Sequence, residues 1–256
     1  MWSLAAGIFA ACKGLTWVAT PAAAPAWRHA AYLFAWPGLD AKGFLESGAP
    51  RPRAREWIDA AARTLTGAGL LFIAVPAAHG QDPYLVGWIG MIGLVLVLHF
   101  GLFHLLSCAW RRAGVQARPL MNRPLVSTSL GEFWGRRWNT AFRDLTYRFL
   151  FRPLTARLGT RWGLLAGFFF SGLVHDLVIS VPARGGYGGP TLFFGVQAMA
   201  MLLERTWAGR RFGLGAGARG WLFTMIVLVA PVPLLFHQPF VVDIIVPFLR
   251  AIGALT

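Results

Sequence analysis

WGLLAGFFFSGLVHDLVIS, residues 162–180, decides the fold: of its nineteen residues only His175 and Asp176 can carry charge. About 20 apolar residues suffice to cross a bilayer, where ionisable side chains are costly and usually mark a working site. The segment SGLVHD is therefore the first place to look for chemistry, and the fold is expected to be a bundle of membrane helices.

The rest of the chain agrees. Its 256 residues are 56% hydrophobic and only 13% charged, with a mean hydropathy of +0.55. A soluble domain has a different balance. Apolar runs fall at 2–20, 65–79, 84–106, 162–181, 190–204, 220–236 and, shorter, 240–256. They predict an all-α, polytopic transmembrane bundle of about seven spans, folded as one domain over 1–256. The net charge of +14 does not point to nucleic acid, because the bases lie in segments between apolar runs and not on one continuous face. Segments 28–63, 107–161 and 205–219 hold nearly all of them, which places these segments in the cytoplasm and the N-terminus outside. Residues 1–26 lack a basic start and carry Lys13, so a first span is favoured over a cleaved signal, with Lys13 reaching toward an interface. Cys12 and Cys108 are too few and too far apart for a disulfide framework or paired metal ligands.

Proline breaks several runs. Pro76 interrupts the second, and Pro231 with Pro233 the sixth, where missing amide donors should kink the helix. Between the third and fourth runs, Ser129-Leu-Gly-Glu132 matches a capping box. Beyond it Trp138, Phe142, Leu145 and Phe149 recur at helical spacing among arginines, which predicts an amphipathic interfacial helix under the cytoplasmic leaflet.

Of six histidines, His99 and His104 are five apart and about 140° around a helix, so they do not share a face as metal ligands would. His175 is deep in its run. A neutral ring there is either a hydrogen-bonding bridge between helices or a base for a hydroxyl proton. Asp176 points about 100° away and is expected to pair with an arginine or line the same cavity. Ser171 shares the face of His175, and its hydroxyl is expected to bond its own helix backbone. The second constellation, Glu132-Phe-Trp-Gly-Arg-Arg-Trp-Asn139, carries two tryptophans, two arginines and one asparagine. It suits either a lipid-headgroup anchor or a grip on an anionic, long-chain substrate.

SLGEFWGRRWN at 129–139, followed thirty-six residues after Asn139 by the histidine of SGLVHD, resembles the paired signature of the membrane-bound O-acyltransferase superfamily, in its wax synthase-like branch. YLFAWPGLD at 32–40 and PLLFHQPFVVDIIVPFLRAIGA at 233–254 resemble segments of the bacterial wax synthase-like proteins. The resemblance implies Asn139 and His175 as the two catalytic positions, and a bacterial cytoplasmic membrane as the location. It also implies transfer of a fatty acyl group from acyl-CoA, as co-substrate, to a long-chain alcohol, without a metal or redox cofactor. Trp134, Arg136, Arg137 and Trp138 are the substrate-binding expectations. Asp176 stands where this branch often has glutamate. Other acceptors, such as a diacylglycerol, a sterol-like alcohol or a glycan, stay open, as does a lipid-like solute transporter with a His175/Asp176 proton relay.

Overall fold

The computed structural model describes residues 2–46, 48 and 50–255, and every regular element among them is helical. Among the described residues, four helical runs are long and apolar enough to cross a membrane: Ala54–Ala77, Pro83–Arg112, Thr140–Ala183 and Gly217–Leu235. Four of the seven expected crossings are thus met by length and apolarity among the described residues. The runs at 2–20 and 190–204 form helices Trp2–Val18 and Gly189–Glu204, of 17 and 16 residues. At the standard rise these reach about 25 Å, short of a hydrocarbon core about 30 Å thick. The run at 240–256 breaks into a wide turn, Val241–Ile245, and the short helix Val246–Ala251.

Prolines shape the long runs in a way that a 3.6-residue period does not reveal. π-Helical turns occupy Leu70–Ala74, Tyr147–Phe151, Asp176–Ser180 and Val241–Ile245. Each ends two residues before a proline: Pro76, Pro153, Pro182 and Pro247. Proline has no amide donor, and its ring clashes with the carbonyl four residues back. A turn widened by one residue just ahead of it relieves that clash.

The amphipathic helix expected beyond Ser129 is not continuous. A short helix, Leu130–Glu132, runs into a π turn, Phe133–Arg137. The chain then leaves helical geometry at Trp138 and Asn139, the latter with φ 41°, before helix Thr140–Thr146 begins. A second break lies at Gly159, φ 80°, inside Arg152–His175. Asparagine and glycine tolerate the left-handed region better than other residues, so both breaks fall where the sequence permits them.

The chain packs as two compact units. One comprises Trp2–Met121, Thr140–Leu145 and Ile245–Thr256. Its core gathers Tyr32, Trp36, Leu39 and Phe44 from the YLFAWPGLD region, with Val115 and Ala117. Lys13 does not reach an interface. It is 3% exposed, donates to the carbonyls of Trp36 (2.8 Å) and Gly38, and lies 3.5 Å over the Tyr32 ring. A buried ammonium has to be hydrogen-bonded in this way, and here it ties the first helix to the segment that follows. In the same unit, helices Ala54–Ala77 and Pro83–Arg112 run antiparallel. A Cβ on Gly67 would meet the Gly93 carbonyl, and one on Gly101 would meet Thr64, so the two backbones pack directly on each other.

The other unit comprises Asn122–Asn139 and Thr146–Ile244. Leu130, Phe133, Leu164, Ala198, Met201 and Leu228 form its core. Both halves of the sequence signature lie within it.

Candidate active site

Helix Gly189–Glu204 aligns the site. At its C-terminal end the buried Glu204 carboxylate accepts the amides of Leu130 and Gly131, both at 2.9 Å. Those are donors that the start of a helix leaves unpaired, so Glu204 fixes the first turn of the SLGEFWGRRWN segment. At the other end the Thr191 hydroxyl and amide both donate to Asp176, the residue after His175. Thirteen residues, about 20 Å at the helical rise, separate the two anchors. Midway, the fully buried Gln197 accepts from Trp134 Nε1 (3.4 Å) and donates to the Val227 carbonyl (2.8 Å). That carbonyl lacks its usual helical donor because the residue four places on is Pro231.

Within the signature segment the capping expectation holds in altered form. Ser129 Oγ accepts from Glu132 N (3.0 Å), but the Glu132 carboxylate accepts from Thr128 N (2.9 Å) and not from Ser129. The Thr128 amide foremost, together with Arg137, holds the Glu132 carboxyl below its ordinary value. Arg137 is committed to structure: it bonds Glu132 Oε1 at 2.6 Å and the carbonyls of Asn122 and Arg123. Arg136 is exposed. Trp138 stacks on Phe133, centroids 5.4 Å apart, and Asn139 follows at the break, not in mid-helix as its surroundings suggested.

His175 closes helix Arg152–His175, and the wide turn Asp176–Ser180 begins at the next residue. Its Nδ1 lies 2.7 Å from the Ser171 carbonyl oxygen. A carbonyl can only accept, so Nδ1 carries the proton and, in the neutral ring, Nε2 keeps a free lone pair. Ser171 thus serves His175 through its backbone. The imidazole packs on Phe194, centroids 4.6 Å apart, and Phe194 also meets Trp134 at 5.7 Å. Phe168 joins both aromatic rings. The structure therefore brings Trp134 and His175 to one aromatic cluster through Phe194, a residue that sequence reasoning did not select. Nothing in the local pattern of helix Gly189–Glu204 distinguishes Phe194 from its neighbour Phe193.

Asp176 does not pair with an arginine. Its carboxylate accepts from Ser180 Oγ (2.9 Å), Gly188 N (2.8 Å), Thr191 N (3.1 Å) and Thr191 Oγ1. Four donors satisfy a carboxylate fully.

In the other unit, donor atoms of Glu56, His104 and Cys108 lie within 4.8 Å of one another. His104 and Cys108 are four apart on one helix, a spacing the His99/His104 comparison passed over. Arg111 bonds Glu56 at 2.6 Å and approaches Cys108 Sγ at 3.4 Å, so a guanidinium already fills the position a cation would take. An apolar groove of about 1200 Å³, lined by residues such as Trp162, Phe169, Val196, Met199 and Phe223, runs along the unit that holds the signature segments. None of Trp134, Phe194 and His175 lines it.

The half-buried His175, with its Nδ1 on a carbonyl, is thus linked to the SLGEFWGRRWN segment through aromatic contacts. Residues 117–196 match the sequence model of the "Membrane bound O-acyl transferase family", and the matched stretch contains both signature segments. A long-chain-alcohol O-fatty-acyltransferase of Simmondsia chinensis is 38% identical over 72 residues, 25% of this chain and 20% of that protein. The probable long-chain-alcohol O-fatty-acyltransferase 8 of Arabidopsis thaliana is 37% identical over 101 residues, 36% of this chain and 30% of that protein. The probable enzyme 7 of the same plant is 30% identical over 125 residues, 44% of this chain and 37% of that protein. The resemblance to the superfamily, in its wax synthase-like branch, is borne out over the central part of the chain. The chain spans between a fifth and two fifths of the length of these relatives.

Proposed function

We propose that this chain is an integral-membrane O-acyltransferase that moves a fatty acyl group from acyl-CoA to the hydroxyl of a long-chain alcohol, forming a wax ester. The observation that carries the reading is the Nδ1–H bond of His175 to the Ser171 carbonyl, which leaves Nε2 as a proton acceptor within an apolar, aromatic setting. In the reaction, Nε2 takes the acceptor's hydroxyl proton as its oxygen attacks the thioester carbonyl. The C–O bond forms, the C–S bond breaks, and the imidazolium returns the proton to the departing CoA thiolate. Asn139 donates to the acyl carbonyl oxygen or positions the substrate. Arg136, exposed beside the signature tryptophans, receives CoA phosphate. The shorter apolar helices complete a bundle of up to seven crossings, with the arginine-rich segments in the cytoplasm of a bacterium.

Incubation of membranes containing the protein with labelled acyl-CoA and a panel of alcohols tests the reading. Ester with a long-chain alcohol supports it. Ester only with a diacylglycerol, a sterol or a glycan moves the acceptor, and no ester with any of them removes the activity. The four hydrogen bonds on Asp176 count against the proton-relay transporter, since a relay carboxylate must give up its partners to take a proton.

A further inference from the structure

His237, Ser180 and Asp176 form a chain of hydrogen bonds that the catalytic reading leaves unused. Ser180 is fully buried and His237 is 8% exposed. Ser180 Oγ lies 2.9 Å from Asp176 Oδ1, 3.1 Å from His237 Nε2 and 3.3 Å from the Gly186 carbonyl. The other ring nitrogen, Nδ1, accepts the Phe240 amide at 3.3 Å. Nδ1 is therefore unprotonated and the proton of the neutral ring sits on Nε2, which donates to Ser180. The serine's own proton goes to the nearer, ionised acceptor, Asp176. Donors and acceptors then match along the whole path from His237 Nε2–H to Ser180 Oγ–H to the Asp176 carboxylate.

Asp176 is the residue after His175, and it also holds Gly188 and Thr191. One turn beyond Thr191, Phe194 presses on the His175 ring. The loop between is fitted to His237: a Cβ on Gly186, φ 68°, would collide with the imidazole. From this we infer that His237 is a positioning residue, acting through Ser180 and Asp176 to set the contact between Phe194 and His175. The inference rests on the acyl-transfer reading only for its effect on rate, because its effect on the loop is independent of catalysis.

The experiment compares His237→Ala, His237→Gln and Ser180→Ala, using ester formation and backbone hydrogen exchange of residues 186–194 in detergent. Glutamine keeps an N–H donor for Ser180. The alanine variants should lose about tenfold in kcat, the size of one lost hydrogen bond, with KM for the acyl donor within about twofold. Their 186–194 amides should exchange faster, and His237→Gln should restore both readouts toward wild type. Unchanged exchange in both alanine variants overturns the inference, as does a glutamine variant no better than alanine. A wild-type protein that makes no ester ends the acyl-transfer reading, while the exchange comparison still decides the relay.

Discussion

His175 Nδ1 and the Ser171 carbonyl oxygen lie 2.7 Å apart, one turn apart on the same helix. The bond fixes which nitrogen is protonated, so Nε2 of the neutral ring is left as an acceptor and not as a donor. His175→Ala should cut ester formation by about 10²–10⁴-fold, the usual contribution of a positioned general base, while the protein still accumulates in membranes. Near-normal turnover in that variant would leave the ring only its contact with Phe194.

Asn139 has two separable properties, its amide and its positive φ. Glycine keeps the backbone conformation and removes the amide, whereas alanine loses both. If the amide stabilises the developing oxyanion, Asn139→Gly should fold normally and lose about 10²–10³-fold in kcat. A glycine variant that turns over at the wild-type rate would reduce Asn139 to a residue chosen for its turn.

Gln197 satisfies a carbonyl left open by Pro231 and holds the Trp134 indole with its other end. Gln197→Leu should lower stability by about 1–3 kcal/mol, the cost of orphaning buried polar groups. Adding Pro231→Ala supplies an amide four residues from Val227 and should recover part of that loss. Thermal unfolding in detergent of the two single variants and the double reads the coupling, and strict additivity would mean that the proline and the glutamine are unrelated.

Burial holds His237 below the ordinary histidine value, against the opposing pull of the Asp176 carboxylate. As pH falls, the unfolded chain takes up a proton near pH 6.5 while the folded chain resists it. Stability is therefore unaffected by this residue above about pH 6.5 and declines as the pH drops below that value. His237→Gln, which does not titrate, should flatten the decline below about pH 6.5 in unfolding measurements. An unchanged slope would show that His237 charges freely in the folded state.

The sequence revealed much of the scaffold and the outline of the site. The runs at 84–106 and 162–181 lie inside spanning helices because their apolar length leaves no other solution. Asn139 and His175 were legible through the signature they share, and Ser129 through its capping chemistry. Phe194 was not, because an aromatic residue in an apolar helix carries no mark of the face it will occupy. Asp176 was misread for a related reason: its partners, Gly188 and Thr191, are brought to it by a loop with positive φ at Arg184, Gly186 and Gly188. Lys13 was assigned to an interface because the two carbonyls and the ring that receive it lie twenty residues or so downstream.

The wide turn between His175 and Pro182 carries one more residue than an α-helical turn would. Every side chain beyond it is out of phase, by about 100°, with a helical wheel drawn from Trp162. Asp176 and Ser180 bond each other within this turn, and both reach the loop at Gly186 and Gly188. The segment thus behaves as a helix with a built-in insertion. Deleting Leu177 while replacing Pro182 with alanine should return a continuous α-helix in which the residues on either side of the deletion keep their present walls.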